Sequence, residues 1–298
     1  MTRQTVPPPA GANPCRNRPD GATLFSPTPH MKKSFPFLAA ACLSLLAATA
    51  CQTTPAVAPA PAAPVVQAAP AAAVPVAPPV DASAAIPKTG NARFFELHEK
   101  FLARGKAGPI GVLFLGDSIT EGWTKVPHIW EHYYGRFQPA NFGIGGDQTH
   151  HVIWRIENGE LDGLSPKVVV LMLGTNNSGQ HTGEQIAAAN RKIVGLIRAR
   201  LPEAKILLLA IFPRGPRKLR DGTPEPWEQR MAAITLANAE LAKLDDGATI
   251  RFLDVNARFL GNDGTIPNII MPDQLHPNAA GYQLWAEAMQ PLLGEMLK

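Results

Sequence analysis

The chain has 298 residues and carries 28 Lys and Arg against 24 Asp and Glu, a formal net charge of +4. Five of those cations (Arg3, Arg16, Arg18, Lys32 and Lys33) and one acid (Asp20) precede Cys51; removing them from the totals of 28 and 24 leaves 23 charges of each sign. A formally neutral body excludes an electrostatic case for binding nucleic acid or another polyanion. All three cysteines, Cys15, Cys42 and Cys51, lie in this first part, which excludes a disulfide framework or a thiolate metal site in the remainder.

Residues 1–30 fit poorly in front of the segment beginning at Met31, and Met31 reads as the true start behind an over-extended reading frame. From Met31 the chain runs MKKSFPFLAAACLSLLAATAC: two lysines, an apolar stretch too short to favour a permanent transmembrane helix, and small residues at its end. That is the layout of a secretory signal peptide over residues 31–51. The run Ala48-Thr49-Ala50-Cys51 resembles a bacterial lipobox, in which the cysteine is lipidated and becomes the mature N-terminus. Leucine is more usual where Ala48 stands, and an ordinary cleaved signal with a chance cysteine is the alternative. Lipidation of Cys51 would tie the protein to a membrane, and Gln52 in place of an aspartate favours the outer one. Residues 52–87 hold 9 Pro and 14 Ala among 36 residues with almost no charge. Proline removes backbone donors and favours extended chain, so this composition predicts a semi-rigid tether, and residues 88–298 are left as one domain.

Within that domain an amphipathic pattern predicts a helix over 91–104. Short aliphatic runs follow at VLFLG (112–116), VVVLMLG (168–174), KILLLAIF (205–212) and TIRFLDV (249–255), with a weaker one near Ala140 to Phe142. Runs that do not alternate suit strands covered on both faces. Helical patterns near 183–200, 227–244 and 278–297 separate or follow them. The alternation predicts an α/β fold with a central parallel sheet and helices on both faces. Ligands of such sheets bind beyond the carboxyl ends of the strands.

Four loops leave those ends. Gly116-Asp117-Ser118 permits a tight turn and a serine at a helix start; a plain N-cap is the alternative. The stretch is not GxSxG, because Thr120 stands where the second glycine would be, and this separates it from the α/β-hydrolase nucleophile elbow. Asn141-Phe142-Gly143-Ile144-Gly145-Gly146-Asp147 brings backbone N–H groups close to a ligand, as an oxyanion hole requires, or is only a flexible turn. Gly174-Thr175-Asn176-Asn177 offers a neutral amide donor, or a cap for the next helix. Asp273-Gln274-Leu275-His276-Pro277 places a carboxylate three residues before an imidazole, the spacing that fixes a ring tautomer on one turn. Together, in this order, they make a nucleophilic serine far better supported than four independent caps.

GDS, the glycine loop, GTNN and DxxHP resemble the ordered blocks of the SGNH, or GDSL-type, serine hydrolases across nearly all of residues 110–293. Within that group NFGIGGDQTHHVIWRIENGELDG and PKVVVLMLGTNN resemble the catalytic subunits of intracellular platelet-activating-factor acetylhydrolase. The resemblance implies a flavodoxin-like three-layer α/β/α sandwich. It implies Ser118 as nucleophile, His276 as general base and Asp273 as the orienting partner. It also implies an oxyanion hole from the N–H groups of Ser118 and Gly146 and the side chain of Asn176. Ile119 and Leu275 match positions that line a narrow acyl pocket. No cofactor and no metal are implied. The resembling subunits dimerise, so a homodimer is an expectation of the resemblance alone.

His150 and His151 lie close to Asp147 with no third spaced ligand, and read as loop packing or substrate contacts rather than a metal site. His128, His132 and His181 read as surface residues. The expected reaction is hydrolysis of short esters, acetyl above all, through an acyl-enzyme. An exported enzyme points to an O-acetylated saccharide or a similar small ester as substrate. The rivals are a lysophospholipase or thioesterase, and a non-catalytic carbohydrate-binding lipoprotein.

Overall fold

The computed structural model describes residues 80–219 and 221–298; the leader, Cys51 and most of the Ala/Pro-rich stretch lie outside the described residues. Helix α1 (Ala92–Lys106) opens the body, its first turn capped by the Asn91 side chain, which accepts from the Phe94 N–H at 3.1 Å. Strand β1 (Val112–Gly116) runs into a single helical turn, α2 (Ser118–Glu121), and then α3 (Pro127–Tyr134). Strand β2 (Pro139–Gly143), α4 (Thr149–Glu157) and β3 (Val168–Met172) follow. The chain closes with α5 (Gly183–Arg200), β4 (Lys205–Leu209), α6 (Trp227–Ala242), β5 (Ile250–Leu253) and α7 (Ala279–Met296).

All five strands are parallel, in the order β2-β1-β3-β4-β5. Their alternate residues feed two cores, which is why the runs read as unbroken aliphatic stretches. Leu113, Leu115, Val169, Leu171, Ile206 and Leu208 face α1, α4, α5 and α6. Val112, Phe114, Val168, Val170, Leu207 and Leu209 face α3 and α7. Helix α5 shows the cause at the level of sequence: Ile186, Ile193, Val194 and Ile197 make one apolar stripe, all at most 4 % exposed, behind a Thr182–Gln185 capping box. The three-layer α/β/α sandwich expected from the sequence is the fold observed.

The weak run near 140–142 is a full strand that opens on Pro139, a residue tolerated because β2 is the sheet edge. Helices α2, α3 and α4 carry no clear sequence pattern: α2 is one turn, α3 spans only eight residues, and α4 buries seven of nine. Residues 80–87, which composition assigns to the tether, lie against the body. Thr149 donates to the Ala82 carbonyl at 2.7 Å, and the Ile86 N–H donates to the His150 carbonyl at 3.3 Å. Ala82 is only 2 % exposed. Among the described residues no helix is long and apolar enough to cross a membrane.

Strand order reverses at β1, whose sequence neighbour β2 lies on one side and β3 on the other. This is the switch point at which the loops leaving adjacent strands diverge and open a crevice. The loops after β1, β2 and β3 all meet there. Gly143 is required at the rim: a Cβ on it would overlap the Glu121 backbone, because α2 passes directly over the end of β2.

Candidate active site

Ser118 is the first residue of α2, set by Asp117, whose carboxylate accepts the Ile119 N–H at 2.9 Å and caps the turn. Ser118 Oγ lies 2.9 Å from His276 Nε2 although 158 positions separate them. His276 Nδ1 lies 2.7 Å from Asp273 Oδ2, and Asp273 Oδ1 accepts the backbone N–H of His276 at 2.7 Å and of Leu275 at 3.2 Å. With Asp273 ionised, Nδ1 carries the hydrogen and Nε2 is left to accept from the serine hydroxyl. Burial opposes that ionisation, but the side-chain and backbone bonds to His276, with Arg217 nearby, hold the Asp273 carboxyl well below its ordinary range.

The glycine loop after β2 stands over the same serine. Gly146 has φ +74°, a left-handed conformation that side chains rarely adopt. The Gly145 N–H donates to Glu121 Oε2 at 2.7 Å, and the Gly145 carbonyl accepts from Lys88 Nζ at 2.7 Å. Asn176, from the loop after β3, donates from Nδ2 to the Asp147 carbonyl at 2.9 Å and faces Asp117 Oδ2 at 3.4 Å. One hydrogen of its amide is thereby used in fixing the loop, and the other makes the long bond to Asp117, which an oxyanion would have to displace.

A charged cluster lies beneath. Asp147 is fully buried between Lys88 at 2.7 Å and Arg155 at 3.1 Å. Arg155, also fully buried, donates to the Phe142 carbonyl at 2.9 Å and the Gly116 carbonyl at 3.4 Å, and pairs with Glu160, which meets His98 at 3.3 Å. Burial pushes the Asp147 carboxyl up, while Arg155 and Lys88 pull it back. Burial likewise pushes Asp117 up to about 7.

Ser118, His276 and Asp273 are joined by direct hydrogen bonds, while Gly146 and Asn176 lie on the two neighbouring loops, which meet through the bond from Asn176 to the Asp147 carbonyl. Ile119 and Leu275 sit beside the serine and the imidazole in sequence, but they are 1 % and 6 % exposed and pack into the α3/α7 core. Neither lines the open groove over Ser118, a cavity of about 620 Å³ bounded by Arg93, Glu121, Lys125, His276 and Asn278. His150 and His151 are neutral packing groups: burial lowers them to about 4 and about 3, and His151 Nδ1 accepts the Gln148 N–H at 2.9 Å. His128 and His132 are exposed, but His181 is buried, because residues 80–82 cover it and its Nε2 lies 2.6 Å from the Val80 carbonyl. Lys88, Glu121 and Arg155 escape a reading of the sequence, since each acts on a distant backbone or buried charge and belongs to no local motif.

Residues 114–284 match the GDSL-like Lipase/Acylhydrolase family. The chain is 37% identical over 209 residues to platelet-activating factor acetylhydrolase IB subunit alpha1 of Homo sapiens, covering 70% of this chain and 86% of that protein. It is 36% identical over 221 residues to the alpha2 subunit of Rattus norvegicus, covering 72% and 92%. Among solved structures, a GDSL-like lipase from Bacteroides thetaiotaomicron has the same fold, with a TM-score of 0.54 at 19% identity over 66% of this chain and 97% of that one. Matches of this extent, on a parallel sheet whose strand ends bring a serine, a histidine and an aspartate together, make the chain a carboxylic ester hydrolase of the GDSL-like lipase/acylhydrolase family.

Proposed function

We propose that Ser118 is the nucleophile of an esterase that removes short acyl groups, acetyl above all, from O-acetylated saccharides or similar small polar esters. The observation that carries this reading is the hydrogen-bonded relay Ser118–His276–Asp273, at 2.9 Å and 2.7 Å. His276 takes the serine proton as Oγ attacks the carbonyl carbon, and Asp273 stabilises the imidazolium that forms. The N–H groups of Ser118 and Gly146 and Asn176 Nδ2 receive the oxyanion. The imidazolium returns its proton to the leaving alcohol, and water, activated by the same imidazole, releases the acid from Ser118.

The groove over Ser118 is lined by Arg93, Glu121, Thr124 and Lys125 and not by Ile119 or Leu275, and a lining of charged and hydroxyl side chains supports a short acyl group. Arg93, Glu121, Lys125 and Asn278 around the groove support a polar alcohol. The pattern from Met31 to Cys51 supports export and lipid anchoring in the periplasm or at the outer membrane. One observation favours a lipid acylhydrolase instead: a cavity of about 570 Å³ beside Gln274 is lined by Trp227, Met231, Leu260 and Ile266.

Nitrophenyl acetate and nitrophenyl octanoate discriminate the two. Preference for acetate, with fluorophosphonate labelling lost in Ser118→Ala, is expected. Preference for octanoate overturns the short-acyl reading in favour of the lipid one, and a panel of acetylated glycans then reads the alcohol.

A further inference from the structure

The loop that carries Gly146 is not held by a sheet ladder or a helix, and the peptide between Gly145 and Gly146 is flanked by glycine on both sides. Such a peptide can turn over with no side chain to oppose it. Its carbonyl and its N–H point in opposite directions from one rigid plane, so fixing the carbonyl fixes the direction of the N–H. The Gly146 N–H donates to no atom among the described residues, whereas the Gly145 carbonyl is held by Lys88 Nζ at 2.7 Å. The same ammonium lies 2.7 Å from Asp147 Oδ1, and it is the heavy atom nearest to where a Cβ on Gly146 would stand, at 3.6 Å.

Lys88 is itself firmly placed. Its side chain is 14% exposed, and Asp147, its second partner, is gripped from the other side by Arg155 at 3.1 Å. The segment that delivers it is pinned along its length. His181 lies 2.6 Å from the Val80 carbonyl, Thr149 donates to Ala82, Lys192 donates to the Ser83 carbonyl at 3.0 Å, and Ile86 pairs with His150.

We propose that Lys88 is a positioning residue for ester hydrolysis: its ammonium locks the Gly145–Gly146 peptide so that the Gly146 N–H stays turned toward the oxyanion. This rests on the reading of Ser118 as nucleophile and Gly146 as an oxyanion donor. A cation on the carbonyl end also polarises the peptide and strengthens the N–H as a donor. Lys88 touches neither the serine nor the imidazole and acts through the peptide alone. One residue of the segment that precedes α1 therefore bears on the rate without touching the reacting atoms.

The test uses the full chain and reads kcat and KM for nitrophenyl acetate, the rate of fluorophosphonate labelling, and thermal melting. Loss of a whole oxyanion donor costs about a hundred- to a thousand-fold in kcat, so Lys88→Met, which frees the donor to turn without removing it, is expected to lower kcat by about ten- to a hundred-fold. KM stays within about threefold, labelling slows in step with kcat, and Lys88→Arg recovers most of the loss, since a guanidinium can bind the same carbonyl and carboxylate. Lys192→Met loosens the same segment at Ser83 and is expected to keep kcat. If Lys88→Met does not fold because Asp147 is left short of a partner, Lys88→Met with Asp147→Asn removes that buried charge and is measured instead.

A folded variant without Lys88 that retains its kcat overturns the proposal. So does a loss confined to KM, or an equal loss in Lys192→Met. A wild-type chain that neither hydrolyses the ester nor labels at Ser118 refutes the underlying reading, an outcome distinct from all of these.

Discussion

Asp117→Asn isolates one buried carboxyl next to the nucleophile. Loss of hydration on burial raises Asp117 from 3.8 to about 7, the Ile119 N–H pulls it part of the way back, and Asp147 adds a like charge. The folded protein thus holds this proton more tightly than the unfolded chain does. The resulting stability is fully present below about pH 4 and is lost as pH rises through about 7. From 3.8 to about 7, at about 1.4 kcal/mol per pH unit, the loss amounts to about 4 kcal/mol. Asparagine accepts the same N–H and never ionises. Urea unfolding of both proteins between about pH 4 and pH 9 is therefore expected to show Asp117→Asn gaining on wild type by up to about 4 kcal/mol, with the gain levelling off above about pH 7.5. His150 and His151, lowered by burial to about 4 and about 3, destabilise the fold as pH falls, but both proteins contain them and the difference cancels them. A stability difference that does not change with pH would refute the reasoning.

Asn176→Ala removes a side-chain oxyanion donor and is expected to lower kcat about a hundred- to a thousand-fold with little change in KM; steady-state kinetics on nitrophenyl acetate check it, and an unchanged kcat removes Asn176 from the mechanism. Gly122→Ala drives a methyl into the phenol of Tyr282, whose hydroxyl donates to the Ile119 carbonyl at 2.7 Å. The overlap and the lost buried bond together are expected to cost about 2–4 kcal/mol, read in urea unfolding, with a fall in activity because the serine turn moves with Ile119. A Gly122→Ala protein as stable as wild type would show that Tyr282 does not brace that turn.

The central strands are legible because they are buried on both faces, so that every position in β1 and β3 is apolar or glycine. The residues at their ends are legible because chemistry restricts their types: a hydroxyl, an imidazole three residues after a carboxylate, a neutral amide. What holds those residues in place is far less visible. Lys88 sits at the end of a stretch whose composition marks a tether, and its partner is a backbone carbonyl 57 positions away, which any residue could supply. Arg155 looks like a polar residue on a surface helix, yet it is completely buried. His181 reads as exposed because nothing local reveals that residues 80–82 fold over it. Ile119 and Leu275 are correctly seen as neighbours of the serine and the imidazole, but sequence adjacency does not say which way a side chain points, and both turn into the core.

Arg155 also makes the glycine loop depend on the closed core. One guanidinium gathers the last carbonyl of β1, the carbonyl of Phe142 in β2, and the carboxylates of Asp147 and Glu160. It can do so only after both strands are paired and α4 has docked on them. The loop that carries Gly146 is thereby tied, through Asp147, to the pairing of β1 with β2 and to the seat of α4, so the reacting groups and the closed core share one support.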